Sequence, residues 1–225
     1  MPVRKQPVRR PQEEAPDLAA GEDDQPDGLV AVGGRLDADT LLRAYRAGIF
    51  PWSSDPVITW WCPDPRAVID LGAYRPPRSL RKRMRQAGWR ATIDTDFEAV
   101  MRACAAPAPG RPSTWITDEF VAAYCELHRR GHAHSVEVRD GDDLVGGLYG
   151  VTLGAFFGGE SMFHLRPDAS KAAVAFLVKH LRARGFVLLD AQVPTPHLAS
   201  LGASEIPRVE YLRRLKIALG TPARF

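Results

Sequence analysis

Two apolar segments, Gly159-Glu160-Ser161-Met162-Phe163 and Leu188-Leu189-Asp190-Ala191-Gln192-Val193, bracket a run in which Val174, Leu177, Val178 and Leu181 recur at helical spacing. The run ends in basic residues ahead of Gly185, as helices commonly do. A strand, a crossover helix and a second strand in that order make two parallel neighbours of one sheet, joined with right-handed geometry. The two strands also carry groups foreign to an apolar interior: Glu160 on the first, Asp190 and Gln192 on the second. Residues two apart on a strand share a face at about 6–7 Å, so Asp190 and Gln192 are expected to project together with Glu160 nearby. Burying such groups without partners costs several kcal/mol. They read either as a reactive site or as ordinary strand residues, facing solvent or satisfied by nearby Arg and backbone donors.

The rest of the chain fits an α/β (α+β) fold around that unit. Residues 1–27 mix Pro and basic residues, then acidic ones, with almost no apolar periodicity, the composition of a disordered tail. Gly28 to Val32 reads as a strand, and Asp37 or Asp39 caps a helix that runs through Tyr45 and stops at Gly48. A Pro-rich stretch with Trp52, Trp60 and Trp61 follows, and a domain boundary is expected near Arg66, giving a small N-terminal unit (28–66) and a larger one (67–225). Arg75 to Arg90 is dominated by positive charge around a helix starting at Ser79, either a phosphate-binding face or a solvated one. A helix over Asp118–Arg130 is capped by Thr117 or Asp118 and closed by Gly131. Ser135–Val138 and Leu144–Leu153 flank the turn Asp140-Gly141-Asp142, a hairpin signal, and Arg208–Leu219 supplies a last amphipathic helix.

Composition narrows the function classes. With 225 residues, 45% of them hydrophobic, the chain can bury a substantial core. No run approaches the roughly 18 apolar residues of a membrane span, and no secretory signal is evident, so a cytoplasmic address is expected. Cys62, Cys104 and Cys125 lack the paired spacing of a zinc or redox site. A net charge of +3 leaves nucleic-acid affinity to local basic clusters. His132-Ala133-His134 puts two histidines on one strand face without a third ligand at a familiar spacing, so no metal is expected. Ser161 lacks a nucleophile-elbow context, and His197 after Pro196 reads as structural. The segment His164–Lys171 before the crossover helix has no glycine, a proline without N–H, and Asp168 where a pyrophosphate would sit, which argues against a coenzyme A pocket.

Long ordered motifs then accumulate: Tyr45-Arg46-Ala47-Gly48-Ile49-Phe50-Pro51-Trp52, Trp60-Trp61-Cys62-Pro63-Asp64-Pro65-Arg66, Thr114-Trp115-Ile116-Thr117, Gly131-His132-Ala133-His134-Ser135, Gly146-Gly147-Leu148-Tyr149-Gly150, Gly159-Glu160-Ser161-Met162-Phe163 and His197-Leu198-Ala199-Ser200-Leu201-Gly202-Ala203. Together they resemble the leucyl/phenylalanyl-tRNA–protein transferase family, from about Gly28 to Tyr211. The resemblance implies a small N-terminal α/β domain, an acetyltransferase-like C-terminal domain with a mixed sheet, and an enzyme without metal or organic cofactor. It implies an enzyme that moves Leu, Phe or sometimes Met from aminoacyl-tRNA to the N-terminal Arg or Lys of acceptor proteins, marking them for degradation; a monomer is expected.

The same resemblance assigns residues. Asp190, Gln192 and Glu160 form the catalytic group: by resemblance Gln192 contacts the attacking amine, Asp190 polarises or orients it and Glu160 belongs to the same acidic site. An amide is a poor base, so Asp190 and Glu160 are expected to hold the acceptor's cationic N-terminus while Gln192 orients the amine and the tRNA ribose assists proton movement. Leu148, Phe157, Met162, Val174, Leu177, Leu181 and Leu189 form the donor pocket. Tyr45, Trp52 and Trp115 meet the tRNA 3′ end, where an unstacked base lies on an aromatic face. Arg78, Arg81, Lys82, Arg83 and Arg85 take the phosphates. The family often has Cys where this chain has Ala191, and Ser-Arg where it has His164-Leu165, so a thiol mechanism is excluded.

Overall fold

A computed structural model describes residues 28–54, 57–107 and 114–225; the expected N-terminal tail lies outside them. The elements in chain order are β1 (Leu29–Val32), α1 (Ala38–Arg46), β2 (Phe50–Ser54), β3 (Val57–Trp61), β4 (Arg66–Ile69), α2 (Arg78–Ala87), β5 (Arg90–Ile93), α3 (Phe97–Ala105), α4 (Asp118–Arg129), β6 (Ala133–Asp140), β7 (Asp143–Leu153), β8 (Phe156–His164), α5 (Ala169–Ala183), β9 (Leu188–Gln192), α6 (Pro196–Ser200), β10 (Ala203–Ile206) and α7 (Arg208–Gly220). Among the described residues they build a small antiparallel sheet, β1-β3-β2, and a seven-stranded mixed sheet, β10-β4-β9-β8-β7-β6-β5.

Local chemistry accounts for several of these ends. Asp37 caps α1 by accepting from the Thr40 N–H at 2.8 Å, and Thr117 caps α4 by accepting from the Phe120 N–H. Gly88 closes α2 in the left-handed conformation that glycine adopts without strain. The β6–β7 hairpin turns over Gly141-Asp142. Its two strands pair from Asp140↔Asp143 back to Ala133↔Val151.

Apolar layers cover both faces of the large sheet. On one face α5 and α2 pack Leu177, Leu181 and Leu80 against Val136, Leu148, Phe157 and Leu189. On the other, α1, α3, α4 and the small sheet bring Leu41, Tyr45, Trp60, Val100 and Phe120 onto Tyr149, Val151 and Phe156. The second layer runs across the boundary expected near Arg66: that residue opens β4 in the large sheet and reaches back to the α1–β2 turn. Truncating a buried Leu in either layer to Ala costs about 2–5 kcal/mol.

The expected strand–helix–strand unit is β8–α5–β9, and β8 and β9 pair in parallel at Phe156↔Leu188, Phe157↔Leu189 and Gly158↔Asp190. Pairing stops there while β8 continues to His164, so the two strands part. The site occupies that opening.

Candidate active site

Two irregularities shape the opening. Between β7 and β8 the register passes from Tyr149↔Ser161 to Gly150↔Gly159, leaving Glu160 as the extra residue of a bulge. Gly150 permits it, because a Cβ there would lie 2.3 Å from the Gly158 carbonyl oxygen. Between β4 and β9 the register passes from Val68↔Asp190 to Ala67↔Gln192, leaving Ala191 unpaired. Gln192 then takes φ 63°, a left-handed conformation that strains a residue with a Cβ. Bulges re-aim side chains at the places where they interrupt pairing. Here they turn Glu160 and Gln192 toward each other, and Gln192 Nε2 donates to Glu160 Oε1 at 2.8 Å.

Asp190 is held differently. Arg66 Nε and Nη2 donate to its two oxygens at 2.9 and 2.6 Å, Tyr211 Oη donates to Oδ2 at 2.9 Å, and the Gln192 N–H donates to Oδ1 at 2.8 Å. Arg66 and Asp190 are each 1% exposed. The guanidinium lies over the Phe50 and Tyr211 rings, 4.8 and 4.3 Å from their centroids, and donates to the Gly48 carbonyl. Burial alone would lower its pKa; the facing carboxylate outweighs this and holds it above the ordinary value. The Asp190 oxygens are thus occupied within the protein. They are poorly placed to grip an acceptor amine directly, and the geometry gives Asp190 the task of fixing the Gln192 backbone.

Glu160 has no cation bonded to it among the described residues. Tyr124 Oη donates to Oε2 at 3.1 Å, and Tyr124 is itself hydrogen-bonded to the Tyr45 hydroxyl. Burial pushes the Glu160 carboxyl up to about 7; the two tyrosine hydroxyls resist that shift, Asp190 adds to it and Arg66 opposes it. Burial also raises the Tyr45 and Tyr124 hydroxyls well above their usual range, so both remain protonated donors.

Beside this group lies a cavity of about 260 Å³, lined by Leu148, Met162, Val174, Leu177 and Leu189 with Glu160 and Gln192 at its polar edge. An apolar cavity of roughly 150 Å³ already holds a benzene ring. Trp52, Thr195, His197 and Leu198 form part of its border, so His197 faces the site instead of serving only the packing. Two expected pocket residues, Phe157 and Leu181, are fully buried in the core behind this wall and do not line it. Tyr45, expected at the tRNA end, is also buried, with its hydroxyl committed to Tyr124, so it offers no face for stacking. Trp52 is 41% exposed and sits 6.0 Å from the Trp115 ring.

The basic helix α2 is exposed along Arg78, Arg81, Lys82, Arg83 and Arg85. Arg78, Arg81, Lys82 and Arg85 line a groove of about 800 Å³ that Lys179 of α5 joins. Arg83 is paired with Asp168 at 3.0 Å, and Lys171 holds the other Asp168 oxygen at 3.0 Å. A carboxylate therefore occupies the N-terminus of α5, where a pyrophosphate would need free N–H groups.

His134 does find companions in Asp94 and His128, but their atoms are committed. Asp94 accepts from the Ser135 N–H at 2.8 Å and meets His134 Nδ1 at 2.7 Å, while His128 Nδ1 meets the Ala133 carbonyl at 2.8 Å. The cluster ties β6 to the β5–α3 turn.

Residues 68–216 match the leucyl/phenylalanyl-tRNA protein transferase family, and residues 34–64 match the N-terminal domain of the same family. The chain belongs to this family. A leucyl/phenylalanyl-tRNA–protein transferase of Pseudomonas syringae pv. syringae is 55% identical over 194 residues, 84% of this chain and 85% of that one. One from Anaeromyxobacter sp. (strain K) is 53% identical over 217 residues, 95% and 92% of the two chains. Among solved structures, a GCN5-related glucosamine N-acetyltransferase region of a fungal multi-domain protein overlaps 76% of this chain and 22% of that one at a TM-score of 0.47 and 14% identity. As a transferase of this family the chain has the mixed α/β fold expected from its motifs. Arg66, Tyr124 and Tyr211, which hold Asp190 and Glu160, are among the residues at its site to which the sequence alone does not point. Only the Arg in Pro63-Asp64-Pro65-Arg66 carried a signal, as part of a shared motif.

Proposed function

We propose that this chain transfers Leu or Phe, and also Met, from aminoacyl-tRNA to the N-terminal Arg or Lys of acceptor proteins, as a cytoplasmic monomer, creating N-terminal degradation signals. The observation that carries the chemical reading is a carboxyl held, among the described residues, only by neutral donors, the Gln192 amide and the Tyr124 hydroxyl, at the edge of an apolar cavity.

The reaction is aminolysis of an ester. The acceptor α-amine attacks the carbonyl that joins the amino acid to the tRNA ribose, the C–N bond forms, and the ribose hydroxyl leaves with a proton. The donor side chain enters the cavity of Leu148, Met162, Val174, Leu177 and Leu189, which excludes water from the ester and fixes the carbonyl at the polar edge. Trp52 and Trp115 stack the terminal adenine, and the groove along α2 takes phosphates.

An α-amine has a pKa of about 8 and is mostly protonated at neutral pH, so it must lose a proton before attack. Glu160 accepts it, its pKa lying close to that of the amine and to working pH. Gln192 Nε2 is engaged by Glu160, which leaves its carbonyl oxygen to receive an N–H of the incoming amine. Arg66, through Asp190 and the Gln192 N–H, maintains the strained backbone that aims this amide. Transfer of labelled Leu from charged tRNA to a peptide beginning with Arg tests the reading. Acetyl transfer from acetyl coenzyme A to that peptide, without Leu transfer, would replace it.

A further inference from the structure

β10, β4 and β9 lie side by side, and one register row crosses all three. Glu205 stands opposite Ala67, and Ala67 stands opposite Gln192. Adjacent strands are spaced about 4.7–4.9 Å, so the Glu205 and Gln192 backbones are roughly 10 Å apart. Directly opposed residues face the same side of a sheet, and the residue between them carries only a methyl group. A cavity of about 290 Å³ opens along this row, lined by Ala67, Pro194, Pro196, Ala199, Ala203 and Glu205. Thr195 borders both this cavity and the one beside Glu160, so the two lie on either side of one residue.

Glu205 is exposed, and no described residue forms a hydrogen bond or ion pair with it. Most other acidic groups near the site are spent: Asp190 on Arg66, Asp168 on Arg83 and Lys171, Glu210 on Arg213 and Arg214. Small apolar walls ending at an unpaired carboxylate match a long basic side chain, whose methylene stem packs on apolar surface while its head seeks a counter-charge.

We propose that the Glu205 cavity is the subsite for the side chain of the acceptor's N-terminal Arg or Lys. With the α-amine at Gln192 and Glu160, an extended basic side chain runs over Ala67 along the register row and meets the Glu205 carboxylate. This rests on the transfer reading above. It supplies what that reading lacks, a reason for a basic first residue, because the donor cavity and the amine contacts do not sense the acceptor side chain.

The experiment uses the full chain and two variants, Glu205→Gln and Glu205→Lys, whose exposed edge position spares the core. Binding of a peptide beginning with Arg, labelled at its C-terminus, is measured by anisotropy. Leu transfer to the same peptide is measured in parallel. The Gln variant is expected to weaken peptide affinity and raise peptide KM roughly tenfold, with the Lys variant weaker still. KM for charged tRNA, and kcat at saturating peptide, stay unchanged. Affinity for the Arg peptide that is unaltered in both variants overturns the subsite, as does an equal effect on tRNA KM. Wild-type binding that depends on Glu205 without any Leu transfer would sink the function and leave the subsite standing.

Discussion

Asp190 and Glu160 stand on neighbouring parallel strands and end up in opposite electrostatic circumstances. Asp190 is sealed beneath an arginine that grips both of its oxygens, with a tyrosine and a backbone N–H completing the shell. Glu160 is partly open and meets only neutral donors, a tyrosine hydroxyl and an amide. A buried ion pair fixes charge and geometry. A carboxyl offered neutral partners in an apolar setting is free to exchange a proton near neutrality. Under the proposed mechanism the two carboxylates divide the work: Asp190 supports the amide through the Gln192 N–H, and Glu160 takes the proton.

Breaking the proton-handling side is expected to have the largest effect. Glu160→Gln preserves the shape and lowers kcat for Leu transfer by about 10²–10⁴-fold, the usual contribution of a positioned base. Wild-type kcat/KM should rise with pH through about 7 as Glu160 ionises, and this limb should vanish in the variant. A full rate with the limb intact would remove Glu160 from the chemistry. Stability carries its own signature. The folded-state pKa lies above the unfolded value of 4.5, so the contribution of Glu160 is complete below pH 4.5 and fades as pH rises to about 7. The Gln variant should therefore gain stability relative to wild type across that window.

On the supporting side, Arg66→Met leaves a buried carboxylate without its counter-charge, a loss of about 3–5 kcal/mol in denaturant unfolding. Arg66 also opposes the rise in the Glu160 pKa, so whatever activity survives should show its acid limb at higher pH. A limb that stays at the wild-type position would mean the two halves of the site are not coupled. Trp52→Ala lies outside both carboxylates and should raise KM for charged tRNA by the equivalent of about 1–3 kcal/mol of stacking. The pH limb should not move, which separates tRNA capture from proton transfer. Smallest per residue are the α2 charges: each of Arg78, Arg81, Lys82 and Arg85 that meets a phosphate should reduce the slope of log affinity against log salt by about 0.7–0.9 when replaced by Gln.

What could be read from the sequence was local. The α5 stripe of Val174, Leu177 and Leu181, the caps at Asp37 and Thr117 and the Gly141-Asp142 turn each depend on neighbours a few residues away, and each forms as expected. The site depends on distant partners. Arg66 finds Asp190 across 124 positions, and Tyr124 finds Glu160 across 36. Register, too, is a property of pairs of strands, so neither bulge is visible in its own segment. Regular alternation therefore placed Asp190 and Gln192 on one continuous face, whereas a bulge at Ala191 shifts the pairing of β9 with β4 and Gln192 takes a left-handed φ. Apolar periodicity likewise could not separate Val174 and Leu177, which face the cavity, from Leu181, which is core.

Glu160 and Ala191 are each one residue more than their partner strands can match. Deleting either would remove the extra residue that interrupts its ladder. Such a protein would lose the contact between Glu160 and Gln192 on which the proposed chemistry rests. The proposed reactive centre of this transferase is, in that sense, a pair of insertions that the rest of the fold is strong enough to tolerate.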